Sequence, residues 1–435
     1  MRFVLASYGG RGDVEPAVVV GRELARRGHD VLMAVPPNLV GFAEAAGLAA
    51  VAYGLASQPV LDAQRELWTC YSRTPWKLKE LTGLQRETQQ FAARCWREMT
   101  TTLASVAAGA DLLLTGLIFE QPAVNVAEYH DIPLATLHFF PVRAQGQLLP
   151  FLPGPVIRAA MAANDWLVWR GTKKDEDAQR RDLGLPPATA PASRRVAERG
   201  SLEIQAYDEV CFPGVAAEWA KSGGRRAFNR PLVGALAMEL PTDADEEVAS
   251  WIAAGTPPIC FGFGSIPVGS PADTIAMIGA ACARLGERAL VCSGSTDFSD
   301  VAHPEHVKVV GVVNYATVFP ACRAVVHHGG AGTLAAALRA GVPQLVLWTL
   351  PDQPFFAAQL KRLRVGAGRR FSATTARSLT ADLRRILAPE YAARAREVAT
   401  QVSKPAESAR AAADLVEDYA RSNRAVGARR DQSGR

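Results

Sequence analysis

The sequence lacks any run of about eighteen uncharged apolar residues, so it predicts no membrane-spanning helix. Its seven cysteines are odd in number, widely scattered and never spaced as Cys-x-x-Cys. That pattern argues against both a disulfide framework and a structural zinc site. Apart from the Arg-rich residues 421–435, no block of one charge occurs, and the formal net charge is only +5. We therefore expect no nucleic-acid partner.

What remains is the composition of an ordinary globular protein. Apolar residues make up 49% of the 435 positions and charged residues 21%, and this length favours two domains over one. The first eight residues have the pattern of a strand rather than that of a signal peptide. Together with the scattered cysteines, this start predicts a cytoplasmic location.

Short apolar runs that end at glycines and lead into helical periods recur along the chain, which is the pattern of parallel βα units. In the first unit, the strand 2–8 leads into the glycine-rich turn 9–13 and then into a helix from about Pro16 to Arg27, stopped by Gly28. The expected strands of the first half are 2–8, 31–35, 49–53, 111–115 and 133–140, and those of the second half are 258–264, 288–293, 307–313, 324–328 and 343–348.

These two series predict an N-terminal domain over 1–238 and a C-terminal domain over 257–405, joined by a polar, proline-containing linker at 239–256. Residues 406–423 are expected to form a last helix and 424–435 a flexible tail. Parallel sheets bind ligands beyond the carboxyl ends of their strands. We therefore expect two Rossmann-like doubly wound sheets facing each other across a cleft, which the loops after the first strand of each half would line.

The strongest local signal is a glycine-rich turn at 329–332, between the strand 324–328 and a helix. Backbone amides at such a helix start, aided by the helix dipole, can hold phosphate oxygens. A plain tight turn is the competing interpretation. Because successive strand residues face opposite sides, one of the adjacent His327 and His328 must point toward the mouth of this turn.

Two further segments of the second half carry chemistry. The strand that begins at 258 ends in the glycine-rich turn Gly262-Phe-Gly264-Ser265. Two such turns at one sheet edge indicate a diphosphate site more strongly than either turn does alone. Asp352 and Gln353 follow a later strand, where paired acceptors and donors can bridge vicinal sugar hydroxyls. Asp352 as a simple helix cap is the alternative.

The motifs, taken together, resemble the two-domain, nucleotide-sugar-dependent glycosyltransferases of family one. They are Gly9-Gly10-Arg11-Gly12-Asp13-Val14-Glu15-Pro16, Gly262-Phe-Gly264-Ser265, His328-Gly329-Gly330-Ala331-Gly332-Thr333 and Asp352-Gln353-Pro354, in that order. The resemblance extends from Arg2 to about Asn423. Within the family it is strongest to actinobacterial enzymes that glycosylate glycopeptide antibiotics and mycobacterial glycopeptidolipids.

This resemblance implies the GT-B fold, with the acceptor held by the N-terminal half and the donor by the C-terminal half. It implies that Asp13 is the catalytic base and that the last helix returns to the N-terminal half. The implied diphosphate contacts are His328, with His327 as the alternative, and Gly264, Ser265, Gly332 and Thr333. Asp352 and Gln353 would hold the donor sugar.

Val312 and Val313 occupy the place where many relatives carry a tryptophan stacked on the nucleotide base. The choice between a uridine and a thymidine nucleotide therefore stays open. No cofactor is expected beyond the nucleotide sugar itself.

The expected reaction is a single in-line displacement with inversion at the anomeric carbon, in which Asp13 takes the proton of an acceptor hydroxyl. An ordinary aspartate with a pKa near ~3.9 is a weak base toward an alcohol, so stabilisation of the leaving diphosphate should lower the barrier more. Amides, a helix dipole and His328 would provide it in place of a metal. Asp243 and Asp245 match a metal-binding pair, but they precede a helix, where acidic residues are favoured.

The candidates for acceptor recognition are residues 147–157, an unusually apolar loop, with Trp166 and Trp169, which helical spacing places on one face. An apolar acceptor site and a buried helix that covers the sheet are equal alternatives. The resemblance favours a lipid-like or peptidic acceptor, met in the first case at the inner face of the membrane.

Two other functions compete with sugar transfer. A dinucleotide-dependent oxidoreductase needs Gly-x-Gly-x-x-Gly after a strand and an acidic residue about twenty positions later, and the turn 9–13 lacks that spacing. A sugar-nucleotide sensor without turnover would bind the same ligands, and Asp13 would be dispensable in it.

Overall fold

The computed structural model describes residues 1–59, 62–63, 66, 70, 78–149, 152–221, 229–264, 268, 270–294, 296–298, 300–350 and 352–433. The side chains of residues 78, 79, 81 and 425–433 lie outside this description. The chain divides into an N-terminal unit, Met1–Leu236 with Pro405–Arg435, and a C-terminal unit, Ala237–Lys404.

The N-terminal unit is built on a parallel sheet in the order β3-β2-β1-β4-β5-β6. Its strands are Arg2–Ala6 (β1), Asp30–Val35 (β2), Ala49–Ala52 (β3), Leu112–Thr115 (β4), Leu134–His138 (β5) and Leu202–Gln205 (β6). Its helices before the C-terminal unit are Arg11–Arg26 (α1), Val40–Ala45 (α2), Leu78–Val106 (α3), Glu120–Tyr129 (α4), Gly154–Asp182 (α5), Ala192–Glu198 (α6) and Val215–Lys221 (α7), with single turns of 3₁₀-helix at Pro37–Leu39 and Glu209–Cys211.

The C-terminal unit repeats this plan with the order β12-β11-β10-β7-β8-β9. Its strands are Ile259–Gly262 (β7), Ala289–Cys292 (β8), Val307–Val310 (β9), Ala324–His327 (β10), Gln344–Trp348 (β11) and Gly366–Arg370 (β12). Its helices are Asp245–Ala253 (α8), Pro271–Ala283 (α9), Tyr315–Val318 (α10), Ala331–Arg339 (α11), Gln353–Leu363 (α12), Ala376–Ile386 (α13) and Pro389–Ala399 (α14), with 3₁₀-turns at Phe319–Ala321 and Phe371–Ala373. The last helix of the chain, Pro405–Ser433 (α15), belongs to the N-terminal unit.

Both sheets have the doubly wound order, in which the chain changes direction between the first and fourth strands of the unit. Short apolar sequences such as Leu112–Thr115 and Ile259–Gly262 become strands buried on both faces, because helices cover both sides of a parallel sheet. The loops after β1 and β4, and those after β7 and β10, therefore lie at the two switch points, where ligands bind in such folds.

The edge strands β6 and β12 were not expected from the sequence. Leu202–Gln205 carries a glutamate, and Gly366–Arg370 has two glycines and two arginines, so neither segment shows a clear apolar run. Helix α1 begins at Arg11, five residues before the expected start at Pro16, which lies inside the helix.

The expected linker, 239–256, contains helix α8, whose Val248 and Ile252 are buried in the core of the C-terminal unit. The expected tail from residue 424 is helical to Ser433, as its alanines and arginines favour.

Helix α15 packs against α1 within the N-terminal unit. Arg27 Nη1 donates to Asp414 Oδ1 at 2.6 Å, and His29 Nε2 lies 2.9 Å from Glu417 Oε1. Ala412, Ala413 and Val416 are fully buried. Small side chains and ion pairs thus hold the last helix to the first. In the described part of the chain, no helix is both long enough and apolar enough to span a bilayer.

Candidate donor and acceptor sites

Two glycine-rich turns of the C-terminal unit lie side by side because their strands are neighbours. β7 ends at Gly262 and β10 at His327, and these two residues are paired in register. The first turn continues through Gly264 (φ 61°) and the second through Gly329 (φ 100°). A left-handed backbone at both positions favours glycine. The two turns that the sequence singled out therefore meet at the carboxyl edge of one sheet.

His327 is fully buried and engages both of its ring nitrogens. Nδ1 accepts a hydrogen bond from the Gly329 N–H at 3.1 Å, and Nε2 lies 2.9 Å from Gln344 Oε1. Because Nδ1 accepts, the ring proton is assigned to Nε2, which donates to Gln344. Burial, with a smaller effect of His328, lowers the pKa of His327 to about 3. The ring is neutral at pH 7, and neither nitrogen is left for a ligand.

His328 lies between the two turns. A Cβ built on Gly264 would lie 2.6 Å from its Cε1, and one built on Gly330 would lie 2.5 Å from its Nε2. Its Nδ1 is buried and makes no hydrogen bond of ordinary geometry with the described residues. Burial lowers the pKa of His328 to about 4, which the backbone of Gly262 partly opposes. His328 is thus a neutral ring with an unused polar atom.

Helix α11 begins directly after the second turn and leaves its first amides unpaired within the helix. The first helical bond runs from the Leu334 N–H to the Gly330 carbonyl at 3.0 Å, so the N–H groups of Gly332 and Thr333 precede it. The first turn contains no acidic residue. A Cβ built on Gly332 would meet nothing within 4 Å. An open space therefore faces a helix start, where partial positive charge favours anions.

The residues expected at the sugar end of the donor have unlike surroundings. Asp352 is exposed at the start of α12. Gln353 is only 2% exposed, and its Oε1 accepts hydrogen bonds from the Thr349 N–H at 2.7 Å and the Leu350 N–H at 3.0 Å. The side-chain oxygen of Gln353 thus holds the loop after β11 in place. Within the described structure, the side-chain nitrogen Nε2 is the part of this amide that can donate to a ligand.

The residues expected at the nucleotide base also differ. Val312 is 51% exposed, whereas Val313 is 5% exposed and packs in the core with Val318 and Phe319. Of the two side chains, only that of Val312 is accessible, and a contact of this segment with the nucleotide base stays a prediction. Ser265 lies outside the described residues.

Asp245, one member of the acidic pair, begins α8 and has a structural use. Asp245 Oδ1 accepts from Thr242 Oγ1 at 2.7 Å and from the Asn314 N–H at 2.8 Å, and Oδ2 accepts from the Thr242 N–H at 2.8 Å. These hydrogen bonds keep the pKa of Asp245 low, although burial opposes them. Both carboxylate oxygens serve the fold of the C-terminal unit.

In the N-terminal unit, Asp13 lies in the first turn of α1, just beyond β1. Its Oδ2 accepts the N–H of Gly10 at 2.7 Å, and its carbonyl accepts Ser7 Oγ at 2.9 Å. Gly9 has φ 126°, and a Cβ there would overlap the Asp13 carboxylate. The turn therefore fixes this half-buried carboxylate at the switch point of the N-terminal sheet.

Trp166 and Trp169 lie on α5 but do not share an environment. Trp166 is 49% exposed, with Arg170 against its ring. Trp169 is 7% exposed and donates to Glu176 Oε2 at 2.8 Å. At 100° per residue their side chains are 60° apart on the helix, and the edge of the buried stripe passes between them. A role for either ring at an acceptor stays a prediction.

Comparison with known proteins identifies the family. Residues 263–418 match the model of the erythromycin biosynthesis protein CIII-like C-terminal domain. An uncharacterized glycosyltransferase of Mycobacterium tuberculosis is 61% identical over 423 residues, which cover 97% of this chain and 99% of the relative.

The chain belongs to this glycosyltransferase family.

More distant relatives extend the picture. The vancomycin aglycone glucosyltransferase of Amycolatopsis orientalis is 28% identical to the glycosyltransferase described here, over 92% of this chain and 93% of the relative. The solved glycosyltransferase of kitacinnamycin covers 96% of this chain and 98% of its own at a TM-score of 0.69 and 18% identity. VinC, solved in complex with dTDP, covers 97% and 99% at a TM-score of 0.62 and 18% identity. The fold is GT-B.

Family membership decides against the oxidoreductase alternative. The structure also contains features that the sequence alone did not single out. Gln344, which pairs with His327, is a fully buried amide in a strand of otherwise apolar residues. A polar residue in such a strand indicates a specific partner, and that signal is present in the sequence.

A second missed feature is a buried charge cluster in the N-terminal unit of the glycosyltransferase. Arg143 Nη2 donates to Glu120 Oε1 at 2.8 Å and its Nε contacts Glu203, while His138 Nε2 lies 3.1 Å from Glu120 Oε2. Burial outweighs the neighbouring carboxylates and lowers the pKa of His138. These groups satisfy one another and brace the loop after β5.

Proposed function

We propose that this glycosyltransferase moves a sugar from a nucleoside diphosphate donor to a hydroxyl of a small-molecule acceptor, with inversion at the anomeric carbon. The observation that carries the proposal is the open start of α11 beside the neutral ring of His328. Two similar proteins support it, because VinC was solved with dTDP and the vancomycin relative is named as a glucosyltransferase.

The donor diphosphate binds at the start of α11. The amides of Gly332 and Thr333 donate to its oxygens, and the neutral ring of His328 adds one N–H donor. Gly264 completes the site from the turn after β7, and the contact expected of Ser265 lies outside the described residues. As the sugar leaves, negative charge builds up on the diphosphate, and fixed hydrogen-bond donors aimed at this charge lower the activation barrier. Removing one such donor by mutation typically raises the barrier by roughly 2.7–4 kcal/mol.

The donor sugar is held by Asp352 and Gln353. Asp352 is exposed and offers acceptors to sugar hydroxyls, while Gln353 offers its Nε2 because its oxygen is bound within the loop. We assign the contact with the nucleotide base to Val312, whose side chain is exposed. A small apolar contact of this kind suits the 5-methyl group of thymine, so we infer a thymidine donor in preference to a uridine donor.

Asp13 acts as the general base on the acceptor hydroxyl. One of its oxygens accepts the Gly10 N–H, which orients the carboxylate toward the role of proton acceptor. A carboxylate is a weak base toward an alcohol. Proton transfer from an alcohol to so weak a base is late and coupled to bond formation, so positioning contributes much of its effect.

The acceptor is lipid-like or peptidic and meets α5 of the N-terminal unit. Five of the large apolar side chains with high exposure lie within 17 residues, namely Leu152, Val156, Trp166, Leu167 and Val168. A concentrated exposed apolar surface marks a binding site for a protein, an apolar ligand or a membrane. Arg170, Lys174 and Arg181 are exposed farther along the same helix, so contact with an anionic membrane face would fit this surface.

A nucleotide panel tests the proposal. Thymidine diphosphate, uridine diphosphate and NAD are each added to the full chain, and the melting temperature is recorded, since a ligand that prefers the folded state raises it. We expect thymidine diphosphate to give the largest rise and NAD none. A rise with NAD alone would remove the glycosyltransferase donor site from the C-terminal unit.

A further inference from the structure

A continuous chain of contacts joins the turn after β10 to the loop after β11. It starts at Gln344, whose Oε1 accepts from His327, and passes through the His327 Nδ1 to the Gly329 N–H. Gly329 in turn packs against Gln353, because a Cβ built on Gly329 would lie 3.0 Å from the Gln353 Cβ. Gln353 then binds the backbone of the loop after β11.

The bond from His327 to Gly329 shapes the turn between them. A side chain that accepts the N–H two residues later closes a compact turn, as Asn and Asp commonly do. Here that turn encloses His328, so the His328 side chain leaves the sheet on the side opposite to His327. The same bond fixes Gly329 at φ 100°, which sets the direction of the chain as it enters α11.

Packing alone does not account for the His327–Gln344 pair. Both side chains are fully buried, and Gln344 Nε2 has no hydrogen-bond partner in the described structure. A buried unsatisfied amide is unfavourable, and two apolar side chains of similar shape would serve the core better. The pair makes sense when its task is to hold the Nδ1 of His327 as an acceptor for Gly329.

We propose that His327 is a positioning residue for donor binding. Through Gly329 it holds the His328 ring and the first amides of α11 in the geometry that receives the diphosphate, without touching the donor itself. This inference rests on the proposed donor site.

Two substitutions separate the two bonds of His327. In His327→Asn, Oδ1 can take the place of Nδ1 and accept the Gly329 N–H. In His327→Gln, the longer side chain places its amide near the position of Nε2 and keeps the contact with Gln344. Each variant removes one buried hydrogen bond, so both should lose stability by similar amounts. A purely structural role would therefore affect both alike.

The measurement is calorimetric titration of the full-length variants with thymidine diphosphate. We expect His327→Asn to keep its affinity within about threefold, while His327→Gln loses roughly tenfold or more, the scale of a hydrogen bond to a charged group. Equal losses in the two variants, or a wild-type affinity in His327→Gln, would overturn the inference. Since the pKa of His327 lies far below 7, the pH profile of binding near neutrality should not change.

Two further variants keep the outcome clear. His328→Ala tests the donor site itself: if it loses affinity while His327→Gln does not, only the positioning role fails, and if it binds like wild type, the proposed site fails. Should His327→Gln not fold, Gln344→Leu serves instead. It removes the acceptor that holds the His327 proton on Nε2, so at least a threefold loss is expected, and unchanged binding would refute the role of His327.

Discussion

Replacing Gly332 by alanine should stabilise the protein and weaken donor binding at the same time. Gly332 lies in the first turn of α11, and a Cβ there would meet nothing within 4 Å. Alanine in a helix is favoured over glycine by roughly 0.5–1 kcal/mol. For a unit of this size, that gain raises the melting temperature by about 1–4 °C.

The same methyl group would occupy the space in which the diphosphate is proposed to bind. Loss of one hydrogen bond to a charged group costs about 1.5–3 kcal/mol, which corresponds to a roughly ten- to hundredfold loss of affinity. Differential scanning calorimetry measures the first effect, and titration with thymidine diphosphate measures the second. An opposite response of stability and affinity to one methyl group is expected only where an open glycine faces a ligand.

Gly171→Ala is the matched control. Gly171 lies in helix α5 and is exposed, and a Cβ there also meets nothing within 4 Å. This variant should gain similar stability and keep its affinity for thymidine diphosphate. If Gly332→Ala bound the nucleotide as tightly as Gly171→Ala, the diphosphate would not lie at the start of α11.

Three other predictions follow from the remaining sites. Trp166→Ala should raise the acceptor KM several-fold at an unchanged melting temperature. Trp169→Ala should instead destabilise the fold by about 3–5 kcal/mol, because that ring is buried. Equal KM values for Trp166→Ala and wild type would refute the proposed contact between Trp166 and the acceptor. Transferase activity should survive a chelator, since amides and His328 are assigned to the leaving group, and an absolute magnesium requirement would contradict this. Glu417→Gln should lower the free energy of unfolding at pH 7. Burial raises the pKa of Glu417, but hydrogen bonds from His29 and Arg27 outweigh it and lower this pKa below 4.5. The stability difference between wild type and Glu417→Gln should therefore shrink as the pH falls below 4.5. A difference that grew on acidification would contradict this account.

The doubly wound architecture is predictable from this sequence because parallel strands are buried on both faces and so appear as apolar runs ending at glycines. The same reasoning fails at sheet edges. β12 has one neighbour and accommodates Gly366 and Arg370, so nothing in its composition separates it from a loop. In the segment 239–256, the polar start of α8 is visible in the sequence, while the burial of Val248 and Ile252 is not.

Within the site, sequence reveals chemical types and spacing but not the contacts that each group makes. The glycine-rich turns and their side-by-side position follow from strand pattern and topology. Gln353 uses its oxygen to accept from two backbone amides, and Val313 faces the core. Both facts depend on contacts with other parts of the fold, which the sequence does not show. His327 and His328 have the same side chain, so their chemistry does not tell them apart. In the structure, His327 is distinguished by its hydrogen bonds with Gly329 and Gln344.

The most direct test of the proposed mechanism is the transfer rate of Asp13→Asn, measured at saturating concentrations of a donor and acceptor that the wild-type protein turns over. Asparagine keeps an oxygen for the Gly10 N–H, so the turn should persist, with a melting temperature and a thymidine diphosphate affinity close to wild type. We expect a rate roughly 10²–10⁴-fold lower, the usual contribution of a general base. Transfer at the wild-type rate would contradict the mechanism and would leave Asp13 as a helix cap.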